Sequence, residues 1–126
     1  MNAMHRHGLR VLLGALASVI AAAAMADTLH VPAIPVDATV QRDYQCQAGK
    51  SLKVTYYNSH GGQSFALLSV KDQPMLFVDT IAGSGVRYVA GPYTWWTKGN
   101  SGDLYDMTAG PNAAPIIAGC SSSPGK

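Results

Sequence analysis

Residues 82–99 read AGSGVRYVAGPYTWWTKG: two short runs rich in β-branched and aromatic residues, joined by Gly91-Pro92. A two-residue hairpin loop of type II′ needs positive φ at its first position and a φ near that of proline at its second, which is what a Gly-Pro pair supplies. Pairing Ala90 with Tyr93 across this turn sets Tyr88 opposite Trp95, Arg87 opposite Trp96 and Gly85 opposite Lys98. Ser84 and Lys98 then become neighbours on one rim, a hydroxyl beside an ammonium.

The rest of the chain repeats the same kind of pattern. A first strand is expected over Ala38–Cys46, followed by a turn at Gln47-Ala48-Gly49-Lys50. Ser51–Tyr57 alternates, with Leu52, Val54 and Tyr56 on one face and Lys53, Thr55 and Tyr57 on the other. Asn58–Gly62 reads as a loop, Phe65–Val70 as a strand, Lys71–Pro74 as a turn and Met75–Thr80 as a strand. Beyond the hairpin, Asn100-Ser101-Gly102 leads into a strand over Asp103–Thr108, and a last short strand covers Pro115–Cys120. Evenly spaced short strands without helical periodicity describe an all-β fold, a small antiparallel β-barrel of about eight strands in up-and-down order. In that order the Ser84 loop and the turn after Lys98 share one end of the barrel, opposite Gly91-Pro92.

Residues 1–26 have a different composition. Arg6 and Arg10 precede an apolar stretch, Val11–Ala23, and an Ala-x-Ala site at Ala24-Met25-Ala26, the pattern of a secretory signal peptide. The competing reading, a retained membrane anchor, suffers from an apolar core shorter than the roughly 20 residues a spanning helix needs. Cleavage would leave 100 residues beginning at Asp27, one small domain. Residues 27–37, with Pro32 and Pro35, are expected to form an extended leader, and residues 38–126 the barrel domain.

Of the nine Lys and Arg residues, two lie in the signal, leaving seven basic against seven acidic residues beyond it. That balance argues against nucleic acid or an anionic membrane as the main partner, because both need a positive field. Cys46 and Cys120, the two cysteines, are read as one disulfide joining the first strand to the last. A metal or redox pair would need further ligands or Cys-x-x-Cys spacing, so no metal and no cofactor is expected.

Ser84-Gly85-Val86-Arg87-Tyr88 fits a Ser-Gly-x-x-Tyr motif, and Tyr93-Thr94-Trp95-Trp96-Thr97-Lys98-Gly99 reads as its partner. Together they resemble the bacterial inhibitors of c-type lysozyme, the membrane-bound and periplasmic lysozyme inhibitors. The likeness runs from Tyr44-x-Cys46-x-x-Gly49 through Leu52–Tyr56 to Cys120. It implies a lysozyme-binding set of Ser84, Gly85, Arg87, Tyr88, Tyr93, Thr97 and Lys98, with Ser84 and Lys98 reaching the two catalytic carboxylates of lysozyme. It also implies an exported, periplasmic protein whose partner is a c-type lysozyme. Some members of the family are lipoproteins, but lipid attachment needs a cysteine directly after the cleavage site, and the first here is Cys46. A homodimer remains open.

Each of these residues also has a plainer role to weigh. Ser84 between Gly83 and Gly85 suits an ordinary solvent turn, and the Lys98 stem suits the surface of Trp96 with its ammonium in water. Trp95, Trp96, Tyr88 and Tyr93 belong mostly to a core, although an exposed ring would stack on sugars. The competing function is therefore a periplasmic module binding peptidoglycan fragments. Catalysis is not expected. Ala82 and Val86 stand where a Gly-x-Ser-x-Gly elbow needs glycine, the chain has no glutamate, and Asp103 and Asp106 differ by an odd offset that sends them to opposite faces of a strand.

Overall fold

The computed structural model describes residues 13–22 and 25–123. The chain divides into two units, residues 1–30 and 31–126. In the first, the described residues have no regular secondary structure and Leu13, Leu16, Val19 and Ile20 are exposed. Among the described residues no helix is long and apolar enough to cross a membrane. The basic residues Arg6 and Arg10 and the Ala24 of the expected cleavage site lie outside the described residues.

The second unit is a closed antiparallel barrel of eight strands in sequence order. They are β1 (Val36–Gln45), β2 (Ser51–Ser59), β3 (Ser64–Val70), β4 (Gln73–Thr80), β5 (Val86–Ala90), β6 (Tyr93–Lys98), β7 (Ser101–Asp106) and β8 (Ile117–Ser122). The β5–β6 register is the one the turn dictates: Ala90 faces Tyr93, Tyr88 faces Trp95, Arg87 faces Trp96 and Val86 faces Thr97. Gly91 has φ 53°, as the first position of a primed turn requires. Closure comes from β8, which among the described residues pairs with β1 at Tyr44–Ser122 and Gln45–Ser121. The Cys46–Cys120 disulfide lies beside this short seam.

Several strand ends depart from the sequence expectation, and turn geometry explains them. β4 opens at Gln73 and not at Met75, because the turn is the two-residue Lys71-Asp72, both with positive φ (49° and 63°). Pro74 then sits inside β4 opposite Ser69, beyond the β4–β5 ladder, which starts at Val78, so its missing N–H leaves no rung unmade. β7 spans Ser101–Asp106 and not Asp103–Thr108, because Gly99-Asn100 makes the turn and Lys98 pairs with Ser101. Met107–Ala109 is a 3-10 turn in which the Asp106 carboxylate accepts from the Thr108 backbone N–H. β8 covers Ile117–Ser122 and not Pro115–Cys120. β1 takes in Val36 and Asp37, two residues assigned from sequence to the leader, with a register irregularity between Val36 and Ala38.

Alternation sends one set of side chains inward. Tyr44, Val54, Phe77, Trp95 and Leu104 are all but fully buried, joined by Leu52, Leu68, Val70 and Tyr88. Trp95 is the largest of them, and β7 makes room for it with Gly102: a Cβ there would lie 2.5 Å from the indole Cη2. Trp95 donates its indole N–H to the Tyr56 hydroxyl (2.9 Å), which is 2.8 Å from the Tyr44 hydroxyl, so the polar tips of the core aromatics satisfy one another.

Candidate functional site

The end of the barrel where β5 begins and β6 ends carries the residues singled out by the paired motifs. Ser84 and Gly85 are exposed in the bend between β4 and β5. Gly85 has φ 65°, and a Cβ at that position would run into the Thr97 carbonyl and come within 2.8 Å of the Lys98 Cγ. Only glycine lets this loop lie so close against the end of β6. That close approach brings Ser84 and Lys98 into one neighbourhood.

Trp96 is the hub of that neighbourhood. It points to the outer face of β6, opposite Arg87, and its indole N–H donates to the Ser84 backbone carbonyl at 2.8 Å. The Lys98 Nζ lies 5.1 Å from the centroid of the ring and the Arg87 Cζ 5.3 Å, both within cation–π range. Arg87 is half-buried, and its Nε is enclosed without a hydrogen-bond partner among the described residues. Next to this cluster, Trp96, Lys98, Ser101, Asp103 and Tyr105 line a shallow cavity of about 150 Å3. The Asp103 carboxylate there accepts from the Gly119 N–H at 2.8 Å, and burial together with Asp103 raises the Tyr105 phenol above its ordinary pKa.

The other motif residues go elsewhere. Tyr88 and Thr97 point inward, 6% and 9% exposed, and line the barrel mouth beneath the rim. This mouth is a cavity of about 210 Å3 whose lining includes Arg42, Tyr44, Tyr56 and Asn58. The Tyr88 hydroxyl meets Ser64 Oγ at 3.2 Å, and its ring packs on Tyr56 with centroids 5.6 Å apart. Burial pushes both the Tyr56 and the Tyr88 phenols above their ordinary pKa, so both stay neutral. Tyr93 lies beside Gly91-Pro92, under the Lys71 ammonium at 6.0 Å. Five residue steps along β6, roughly 16 Å, separate it from Lys98.

The structure therefore brings Ser84, Gly85, Arg87 and Lys98 together on the rim, sets Tyr88 and Thr97 beneath them, and leaves Tyr93 at the far end. Trp96 joins the cluster although the family resemblance does not include it in the lysozyme-binding set. Its outward direction was legible from alternation with Lys98, whereas its bond to a loop carbonyl was not. Ile81, 95% exposed, enters the same loop three residues before Ser84. What the rim offers chemically is an ammonium, a hydroxyl and exposed backbone on a thin glycine-flanked loop, suited to a cleft that contains carboxylates.

A family model described as membrane-bound lysozyme-inhibitor of c-type lysozyme matches residues 44–113. Two curated proteins called membrane-bound lysozyme inhibitor of C-type lysozyme are similar. One, from Cupriavidus necator, is 46% identical over 81 residues, 64% of this chain and 64% of the relative. The other, from Pseudomonas aeruginosa, is 42% identical over 77 residues, 58% of this chain and 60% of the relative. The chain thus spans less than two thirds of either relative's length. The crystal structure of Pseudomonas aeruginosa MliC in complex with hen egg white lysozyme superposes with a TM-score of 0.61 at 33% identity, covering 81% of this chain and 100% of that one. The periplasmic lysozyme inhibitor of C-type lysozyme from Salmonella typhimurium shares the fold, with a TM-score of 0.58 at 21% identity over 68% of this chain and 98% of its own.

Proposed function

Because the chain belongs to the family of membrane-bound lysozyme inhibitors of c-type lysozyme, we propose that it is an exported inhibitor that plugs the active-site cleft of a c-type lysozyme and so blocks peptidoglycan hydrolysis. The observation that carries this reading is the rim itself, where the glycine-flanked Ser84 loop and Lys98 are gathered around one indole. A retaining glycosidase holds two carboxyl groups only about 5 Å apart on either side of the scissile bond. In the complex, the Lys98 ammonium pairs with one carboxylate and the Ser84 hydroxyl donates to the other, while the loop fills the space a sugar ring must occupy. Arg87 adds positive charge behind them, and Ile81 loses its exposure against the cleft wall.

Tyr88 and Thr97 serve the same site from below, by fixing the strands that carry Arg87 and Lys98. Tyr93 enters this reading only as part of the turn that sets the β5–β6 register. The protein acts by exclusion and not by catalysis. Its place of action is the periplasm, reached through cleavage after residue 26.

A lysis assay with the mature protein and c-type, g-type and i-type lysozymes tests the proposal. Inhibition confined to the c-type enzyme, and relieved by a short chitin oligomer that occupies the same cleft, is the expected result. Affinity untouched by saturating oligomer would place the contact outside the cleft. Retention of peptidoglycan fragments without lysozyme would favour the carbohydrate-binding alternative.

A further inference from the structure

We infer that Trp96 is a positioning residue, whose indole holds the Ser84 loop and the Lys98 side chain in one arrangement before any partner arrives. The inference deepens the inhibitory reading and rests on it for its effect on affinity, but its structural content concerns the free protein alone.

Beyond the approach of Gly85 to β6, the Ser84 loop would otherwise have little to hold it. Ile81, Gly83, Ser84 and Gly85 are all exposed, and two of the four are glycines, the residue with most backbone freedom to lose. Lys98 is exposed as well, on a stem with four rotatable bonds. A loop and a lysine this free would each pay an ordering cost on entering a cleft, and that cost subtracts directly from affinity. Trp96 restrains both. Its N–H donates to the Ser84 carbonyl at 2.8 Å, and its ring lies 5.1 Å from the Lys98 ammonium. Arg87, at 5.3 Å, holds the ring from the neighbouring strand.

Trp96 is poorly explained as a core residue. Its neighbour Trp95 fills the interior with no exposed surface, whereas Trp96 sits on the outer face and remains partly open to solvent. Removing the Trp96 ring therefore leaves the core packing in place, so loop order and global stability can be separated by experiment.

The test uses the parent, Trp96→Phe and Trp96→Leu. Backbone order parameters for residues 83–85 are measured in the free protein, melting temperatures are taken beside them, and dissociation constants are measured with hen egg white lysozyme. Trp96→Phe keeps a ring for Lys98 but has no N–H. It should drop the loop order parameters toward the flexible range, below about 0.6, with little change in melting. Loss of one neutral hydrogen bond and of the loop order it imposes should weaken binding roughly three- to tenfold. Trp96→Leu, which also removes the ring face, should weaken it further. A cycle of Trp96→Phe with Ser84→Ala should be non-additive, because an absent hydroxyl gains nothing from a well-placed loop.

Loop order equal to the parent in both variants overturns the inference, as does an additive cycle. Exchange of the Trp96 indole proton in the parent at the rate of a free indole overturns it without any variant, and protection from exchange supports it. Failure of the parent to inhibit c-type lysozyme would instead overturn the inhibitory reading, and the order parameters would still decide whether Trp96 positions the loop.

Discussion

Two glycines show how single residues separate stability from function in this barrel. Gly102 lies under the Trp95 ring, where a Cβ would approach Cη2 to 2.5 Å, and Gly85 lies against β6 with φ 65°. Gly102→Ala should overpack the core and lower unfolding free energy by about 1 to 3 kcal/mol, with inhibition per folded molecule unchanged. Gly85→Ala should instead push the Ser84 loop off the end of β6, weakening lysozyme binding by at least about tenfold for a smaller loss of stability. Urea unfolding beside inhibition titrations checks both, and the reverse pattern would contradict the assignment of the two positions. At this scale the sequence was partly legible. Ser84 and Lys98 follow from counting outward from Gly91-Pro92. Membership of a motif, however, does not say which way a side chain points: Tyr93 lies at the other end of the hairpin, and Thr97 lines the mouth.

Among the elements, the β5–β6 hairpin was legible because its turn chemistry admits only one register. The starts of β4 and β7 were not. Lys71 and Asp72 carry positive φ without being glycine, and composition alone does not mark such a turn. The β1–β8 seam is the element-scale weak point, with two residue pairs closing the barrel among the described residues. The Cys46–Cys120 disulfide beside it spans 74 residues of sequence, for which chain entropy gives an upper figure of roughly 4 to 5 kcal/mol. A form with Cys46→Ser and Cys120→Ser should therefore melt markedly lower, yet inhibit lysozyme like the parent at temperatures where it stays folded, since its cysteines follow β1 and lie on β8, not on the loop or the strand that carry Ser84 and Lys98. Unchanged melting would remove its stabilising role.

For the molecule as a whole, the aromatic hydroxyls give the fold a direction of pH sensitivity. Burial raises the phenols of Tyr56, Tyr88 and Tyr105 above the ordinary value of 10.0. A phenol that ionises less readily folded than unfolded contributes stability that is complete below pH 10 and is lost as pH rises above it, because the unfolded chain then releases protons the barrel retains. Melting temperatures should thus be flat toward pH 9 and fall above about pH 10, with the tyrosinate absorbance of Tyr56 emerging only on unfolding. A stable barrel at pH 11 with all six tyrosines ionised would contradict the buried hydroxyl network.

At the same scale, β5–β6 pairing within the closed barrel sets the loop before β5 beside the end of β6 on one rim, the proposed inhibitory site. The most direct measurement is the dissociation constant for hen egg white lysozyme of the parent, Ser84→Ala and Lys98→Ala, each checked for fold by circular dichroism. Losing a charge partner from a desolvated interface costs roughly 2 to 5 kcal/mol, so Lys98→Ala should bind at least tenfold more weakly. Ser84→Ala should lose about 1 to 3 kcal/mol. If both folded variants bind lysozyme as tightly as the parent, the rim is not the inhibitory site.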